Sequence, residues 1–187
     1  IAERTVEIYS LEDDSTWKVT DIRPLFFDWE SKARHWATWS GDSDKVSFFS
    51  SITDSRPDTS FIIATVSTQN VSTVESFEKD PQYLIAPVWS QFKDGYVYPI
   101  AGRSGYSVKF EGWPEKKSEI LFSSERVITL VTITSDEEII AYVAHATGEQ
   151  NNQDVWIFDR ISETNYQVTF RNSPIEMLSI SPNGENI

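Results

Sequence analysis

Apolar residues along this chain recur in short alternating runs, each closed by a polar turn. Residues 6–20 read VEIYSLEDDSTWKVT and residues 155–169 read VWIFDRISETNYQVT. They align without a gap at an offset of 149 residues. Val6/Val155, Ile8/Ile157, Val19/Val168 and Thr20/Thr169 are identical, and Tyr9/Phe158 and Trp17/Tyr166 are aromatic in both. Strand, polar turn and strand at matching places predict a hairpin in each.

A second repeat runs between these hairpins. HWATWSGDSDKVSFF (35–49), LIAPVWSQFKDGYVY (84–98), LVTITSDEEIIAYV (130–143) and MLSISPNGENI (177–187) share one form. An alternating strand ends in Ser or Thr, a short polar turn follows, and a second apolar strand begins. The anchors Ser40, Ser90, Thr134 and Ser181 lie 50, 44 and 47 residues apart, a mean of 47. The hairpin offset is about three such periods, so two independent features give one repeat length.

Each unit accommodates four strands. Strand A ends near Trp39, Trp89, Ile133 and Ile180. Strand B covers Val46–Phe49, Tyr96–Ile100 and Ile139–Val143; strand C covers Phe61–Val66, Tyr106–Phe110 and Val155–Phe158. Strand D covers about Val71–Val74, Glu119–Ser123 and Tyr166–Phe170. Four antiparallel strands per 40–50 residues is the sequence signature of a β-propeller blade. Runs such as Phe61-Ile62-Ile63-Ala64 are apolar on both sides of the pleat, as strands sandwiched between neighbouring sheets must be. A β-sandwich also has recurring strands, but it does not predict a 47-residue internal repeat.

The expected layout is all-β. It has a partial blade over 1–23, an excursion over 24–34, blades at about 35–83, 84–126 and 127–174, and a partial blade over 175–187. The chain thus starts at strand C of one blade and stops within strand B of another. Together these are about four blade equivalents, either a small closed ring or part of a larger propeller. In PLFFDWESKARHWA (24–37), Trp29, Ala33 and Trp36 stand at i, i+4 and i+7, which predicts a short helix over one rim. Pro24 and Asp28 suit its start.

With those residues in view, the chain resembles the TolB-like propeller repeats and the related propellers of prolyl oligopeptidases and dipeptidyl peptidases. Their blades open with a tryptophan-serine-proline-aspartate-glycine turn. Trp39-Ser40-Gly41-Asp42, Trp89-Ser90, Ser135-Asp136 and Ser181-Pro182-Asn183-Gly184 are degraded versions of it. An isoleucine-rich strand ending in aspartate and a strand ending in leucine-threonine follow in the family. Val155-Trp156-Ile157-Phe158-Asp159 and Gln167-Val168-Thr169-Phe170 fit these. No blade keeps the full turn, and its proline survives only at Pro182. WD-type repeats compete, but neither His35 nor His145 follows a Gly, and no Trp-Asp pair occurs.

Charge and composition narrow the function. The 187 residues carry 16 Lys+Arg against 29 Asp+Glu, a formal charge of −13, which repels phosphate backbones and anionic membrane surfaces. No apolar run is long enough to span a membrane. No signal peptide opens the sequence, and with Ile1 in first place it reads as a processed or cut chain. Zero Cys excludes disulfides, thiolate metal sites and Cys nucleophiles.

Motifs for chemistry are sparse. Gly102-Arg103-Ser104-Gly105 and Gly41-Asp42-Ser43-Asp44 both miss the G-x-S-x-G nucleophile elbow. His35 and His145 stand alone, read as partly buried or rim histidines without zinc spacing. Asp42-Ser43-Asp44-Lys45 fails as a calcium loop, so Asp13, Asp14, Asp42 and Asp44 read as turn carboxylates that accept backbone hydrogen bonds. Asn70-Val71-Ser72 is a glycosylation sequon of the kind a Ser/Thr-rich chain carries by chance. At their repeat positions Trp39, Trp89 and Trp156 are expected in the core, with Trp113 in a turn.

The expected reading is therefore a module that binds rather than catalyses, with no metal and no cofactor. The family resemblance implies a protein or peptide partner in a periplasmic or extracellular setting. The loops joining D to A and B to C would carry the contacts. They hold Trp29, Arg34 and His35, then Arg56 and Asp58, then Arg103, then Asn151, Asn152 and Asp154. Two other readings accompany it: the substrate-gating propeller of a serine peptidase without its hydrolase, and a propeller enzyme acting on sugars. Open blade edges would also favour self-association.

Overall fold

In the computed structural model the alternating or wholly apolar runs of the described residues become strands, apart from the one ending at Ile180. The structure describes residues 6–19, 37–51, 59–74, 87–90, 94–102, 105–171, 173–181 and 183–187. The helix expected over 24–37 falls almost wholly outside them. The strands are β1 (Val6–Tyr9), β2 (Thr16–Val19), β3 (Thr38–Trp39), β4 (Lys45–Ser51), β5 (Thr59–Thr65), β6 (Asn70–Val74), β7 (Val88–Trp89), β8 (Gly95–Gly102), β9 (Gly105–Gly112), β10 (Ser118–Ser124), β11 (Val127–Ile133), β12 (Ile139–His145), β13 (Asp154–Asp159) and β14 (Thr164–Gln167). They form one two-stranded sheet, β1-β2, and three four-stranded antiparallel meanders, β3–β6, β7–β10 and β11–β14. The A-B-C-D order read from the repeat is the order found.

Two strand assignments shift. The D strand expected at Tyr166–Phe170 is β14, Thr164–Gln167. It ends early because the Thr169 hydroxyl, rather than a backbone carbonyl, accepts from the Val155 N–H at 2.9 Å. The run ending at Ile180 forms no ladder with any described strand, although the turn after it is fully made.

The turn after strand A is the element that repeats most faithfully. Ser40 N–H donates to the Lys45 carbonyl at 2.9 Å, and Lys45 N–H returns a bond to the Ser40 hydroxyl at 2.9 Å. The same pair joins Thr134 to Ile139 (3.0 and 3.1 Å) and Ser181 to Asn186 (2.9 and 2.9 Å). The hydroxyl then donates to a side-chain oxygen two residues on: Asp42 and Asp136 at 2.5 Å, Asn183 at 2.8 Å. Those oxygens also accept the N–H of Asp44, Glu138 and Glu185. This geometry puts the fourth residue in the left-handed region: Ser43 (φ 58°), Glu137 (φ 62°) and Gly184 (φ 74°). In the second meander Ser90 N–H bonds the Gly95 carbonyl at 3.0 Å. Phe92 occupies the acceptor's position in the sequence, and the Ser90 hydroxyl donates to Glu137 instead. Asp42 is thus a turn carboxylate, as expected, as are Asp13 on the Ser15 N–H and Asp44 on the Ser67 N–H.

A second bond repeats beside it. The N–H following strand C reaches the carbonyl one residue before strand B: Val66 to Asp44 (2.7 Å), Trp113 to Asp94 (2.9 Å) and Arg160 to Glu138 (2.8 Å). Each meander therefore ties its A–B turn to the end of strand C.

The chain folds as two units, Ile1–Phe77 and Glu78–Ile187. In the first, Ile8 and Val19 of the two-stranded sheet pack with Val46, Phe48, Ile62 and Ala64 of β4 and β5. Phe61, Ile62, Ile63 and Ala64 are all buried, so β5 is covered on both faces. In the second unit Val97, Val108 and Phe122 meet Ile128, Val131, Ile133, Ile140, Tyr142 and Ala144 across the gap between two sheets. Phe122 stacks on Phe158 at 4.7 Å and tilts against Tyr142 at 5.0 Å. Of the three tryptophans expected in the core, Trp89 is 2% exposed and Trp156 half-buried, but Trp39 is 45% exposed. The two end hairpins share one register: Ile8 faces Trp17 as Ile157 faces Tyr166.

Two predictions follow from this construction. Ile140→Ala, at a fully buried site, should cost about 2–5 kcal/mol in urea unfolding, whereas Ile161→Ala, 72% exposed, should cost less than about 0.5 kcal/mol. The hydrogen bonds from Ser40 and the Asp44 amide hold the Asp42 carboxyl down at about 2. A lowered carboxylate stabilises the fold above its ordinary range, and that contribution disappears as pH falls through about 4 toward 2. Asp42→Asn, which keeps an acceptor oxygen, should flatten the stability profile across that window in acid titrations of the melting temperature.

Candidate interaction face

The end of the β11–β14 sheet that carries the B–C connection is the most completely described of the blade ends. Strand β12 finishes there at His145, and residues 146–153 turn back into β13. Glu149 N–H bonds the Ala146 carbonyl at 3.0 Å and Asn152 N–H bonds the Glu149 carbonyl at 2.8 Å. Asn151 and Asn152 are exposed at the tip of this turn. His145 is 1% exposed, with Nδ1 2.7 Å from the Ala146 carbonyl; it is a core residue rather than a partly buried one.

Asp154 is placed differently from its two neighbours. It is 5% exposed and pairs with Ala144 at the head of β13. Its carboxylate accepts from the Thr169 hydroxyl (3.0 Å), the Arg171 N–H (3.0 Å) and the Gln167 side-chain amide (2.9 Å). Gln153 reaches further along the same segment and accepts the Ile175 N–H at 2.7 Å. The B–C loop thus anchors the chain leaving strand D. Asp154 is the fastener, and Asn151 and Asn152 are the surface it supports. Trp29, Arg34, His35, Arg56, Asp58 and Arg103 lie outside the described residues.

Two buried polar clusters escaped the sequence reading. Glu111, 4% exposed, accepts from the hydroxyls of Tyr96 (3.0 Å) and Tyr98 (2.9 Å), with the Lys109 ammonium 3.6 Å away. Burial, with the Glu111 charge beside it, pushes the Tyr96 phenol well above its ordinary range. Glu137 joins neighbouring sheets: its carboxylate takes the Ser90 hydroxyl, and Arg160 donates to its carbonyl at 3.1 Å and to Glu119 at 3.2 Å. The spacing of Tyr96 and Tyr98 signals a shared face. Glu111 could be placed opposite Tyr96 only once the β8–β9 register was known.

These carboxylates and hydroxyls hold sheets together. Among the described residues no group of three or more His, Asp or Glu stands close enough to hold a metal ion. No helix among them is long and apolar enough to cross a membrane.

No protein-family model matches the sequence, and no curated protein matches it. Solved structures do. TolB from Acinetobacter baumannii matches over 97% of this chain and 41% of its own, with a TM-score of 0.66 and 16% identity. A putative TolB from Agrobacterium tumefaciens matches over 99% and 82%, with a TM-score of 0.63 and 9% identity. The fold is a β-propeller. Dipeptidyl peptidase 4 from Porphyromonas gingivalis shares it over 92% of this chain and 37% of its own, at a TM-score of 0.51 and 10% identity. The chain therefore spans less than half the length of the Acinetobacter TolB and of the peptidase.

Removing the fastener should loosen this blade end. Asp154→Ala strands an amide, a hydroxyl and a side-chain amide, and should cost about 1.5–3 kcal/mol. The Arg171 and Ile175 amides should gain hydrogen exchange first. Exchange unchanged at both would mean the segment is held by other contacts.

Proposed function

We propose that this propeller is a non-catalytic, TolB-like binding module that contacts a protein or peptide outside the cytoplasm. The observation that carries the reading is the likeness to two TolB structures over nearly the whole chain. The construction of the blade end supports it. Asn151 and Asn152 offer exposed amide groups on a turn that Asp154 and Gln153 brace from beneath. A braced surface loses little conformational entropy on docking. Both buried glutamates, Glu111 and Glu137, face hydroxyls and cations of the protein itself. The formal net charge of −13 favours a cationic or neutral partner over a nucleic acid.

In this reading the contacts fall on the D–A and B–C loops, and the candidates are Trp29, Arg34, His35, Arg56, Asp58, Arg103, Asn151 and Asn152. The likeness to a dipeptidyl peptidase supports a second reading, the propeller of a peptidase whose hydrolase is a separate domain.

Affinity capture from an extracytoplasmic extract, scored by cross-linking mass spectrometry, distinguishes the two. A captured protein should cross-link to the rim loops. Alanine at Arg34, Arg56, Arg103, Asn151 and Asn152 together should abolish capture, with the melting temperature within a few degrees of the parent. Capture that survives all five changes would remove the rim as the contact surface. A hydrolase domain found in the parent reading frame would favour the peptidase.

A further inference from the structure

Two arginines stand at one end of the β11–β14 sheet. Arg126 immediately precedes β11, and Arg171 follows β14. Val127 pairs with His145, Ala144 with Asp154 and Trp156 with Gln167. The start of β11, the 146–153 turn and the end of β14 therefore share that end. Both arginines are exposed, and no carboxylate among the described residues pairs with either guanidinium. Lys45, Lys117 and Arg160, at the A–B and C–D turns, each have one: Asp42 at 3.1 Å, Glu115 at 3.8 Å and Glu119 at 3.2 Å. The chain has 29 acids for 16 bases, so acidic partners are not scarce.

Each arginine is held in place. The Arg126 guanidinium lies over the Trp156 ring at 4.6 Å, and the Arg126 N–H bonds the Ser124 hydroxyl at 3.1 Å. Stacking occupies the flat face of a guanidinium and leaves its edge N–H groups for another acceptor. The Arg171 backbone is pinned by its N–H bond to Asp154 at 3.0 Å. In sheet order the 146–153 turn comes between them, and the exposed amides of Asn151 and Asn152 both donate and accept. Two to three strand spacings separate the two backbone positions, roughly 10–14 Å. An extended peptide rises about 3.3 Å per residue and keeps alternate side chains on one face, so carboxylates about four residues apart match the span. Exposed Glu125 and Glu149 interrupt this end. It is no uniform basic patch for a polyanion, but two separate sockets for single carboxylates.

We propose that this end binds an extended peptide segment through two acidic side chains about four residues apart, one on Arg126 and one on Arg171. The Asn151 and Asn152 amides take the peptide backbone between them. The inference rests on the reading that the B–C and D–A loops carry the contacts, and it names the chemistry of the partner there. The net charge of −13 acts on the partner as a whole, whereas the arginines act on two of its side chains. A partner neutral overall meets both conditions.

Display of random peptides against the full 187-residue chain tests it. Enriched peptides should carry Asp or Glu about four positions apart. Fluorescence anisotropy of an enriched peptide, in roughly 0.15 M salt, should show Arg126→Ala and Arg171→Ala each weakening binding about tenfold. Arg126→Lys keeps the charge but not the planar fork, and should weaken it about threefold. Arg126→Glu combined with Arg171→Glu should enrich Lys or Arg at the same spacing, an inversion that a misfolded protein would not produce. No enrichment, enriched peptides without the acidic pair, or a preference unchanged by both reversals would overturn the proposal. Peptides that lack the pair but are lost when Asn151 and Asn152 become alanine would overturn it and leave the loops as the contact surface. Peptides indifferent to every change at this end would overturn both.

Discussion

A hydroxyl at the end of the inner strand governs the rest of this structure. Ser40, Thr134 and Ser181 each take the N–H five residues on and pass their own proton to an Asp or Asn two residues on. The exchange fixes a turn of constant length, and that length sets which residue of strand B lies opposite which residue of strand A. Register matters because one residue of slip turns every inward side chain outward. Strands buried on both faces have no tolerance for slip. Ile140 to Ala144 of β12 are all at most 1% exposed.

The same turn has a conformational cost, and the chain meets it unevenly. Its fourth residue adopts a left-handed conformation that costs a side-chain-bearing residue roughly 1–2 kcal/mol and glycine far less. Gly184 keeps the glycine, while Ser43 and Glu137 do not. At Glu137 the strained position has a use. Its carboxylate reaches Ser90 on the neighbouring sheet, and Arg160 closes on it and on Glu119. The Ser90 hydroxyl donates to Glu137, and in that turn the sequence has Phe92 where the others have Asp or Asn. Loss of the motif in one blade and its alteration in the next together make the seam between them.

Much of the fold was legible in the sequence because the repeat is written in side-chain types. Ser40, Ser90, Thr134 and Ser181 mark the turns, and alternating or continuous apolar runs mark the strands. The displaced end of β14 was not legible. It depends on the Asp154 carboxylate competing for Thr169 and Arg171, a contact between residues 15 and 17 positions apart. Asp154 itself looked like a loop residue beside Asn151 and Asn152, and only burial separates it from them. The exposed Trp39 shows the limit of repeat position as a guide, since Trp89 at the equivalent place is buried. Partner chemistry was the least legible. Binding residues on loops answer to a partner and not to the repeat, so they leave no period to read.

In the blades that carry it, the hydroxyl clamp, rather than the apolar pattern alone, sets the register of strand B against strand A. Residue-resolved hydrogen exchange of Thr134→Val tests it most directly, since valine keeps the volume and removes the hydroxyl. The Ile139 amide should lose at least about tenfold protection, and the Ile140–Tyr142 amides of β12 should follow. The clamped Lys45 amide in the first unit should be unchanged. Ile139 protection equal to that of the parent protein would contradict the claim.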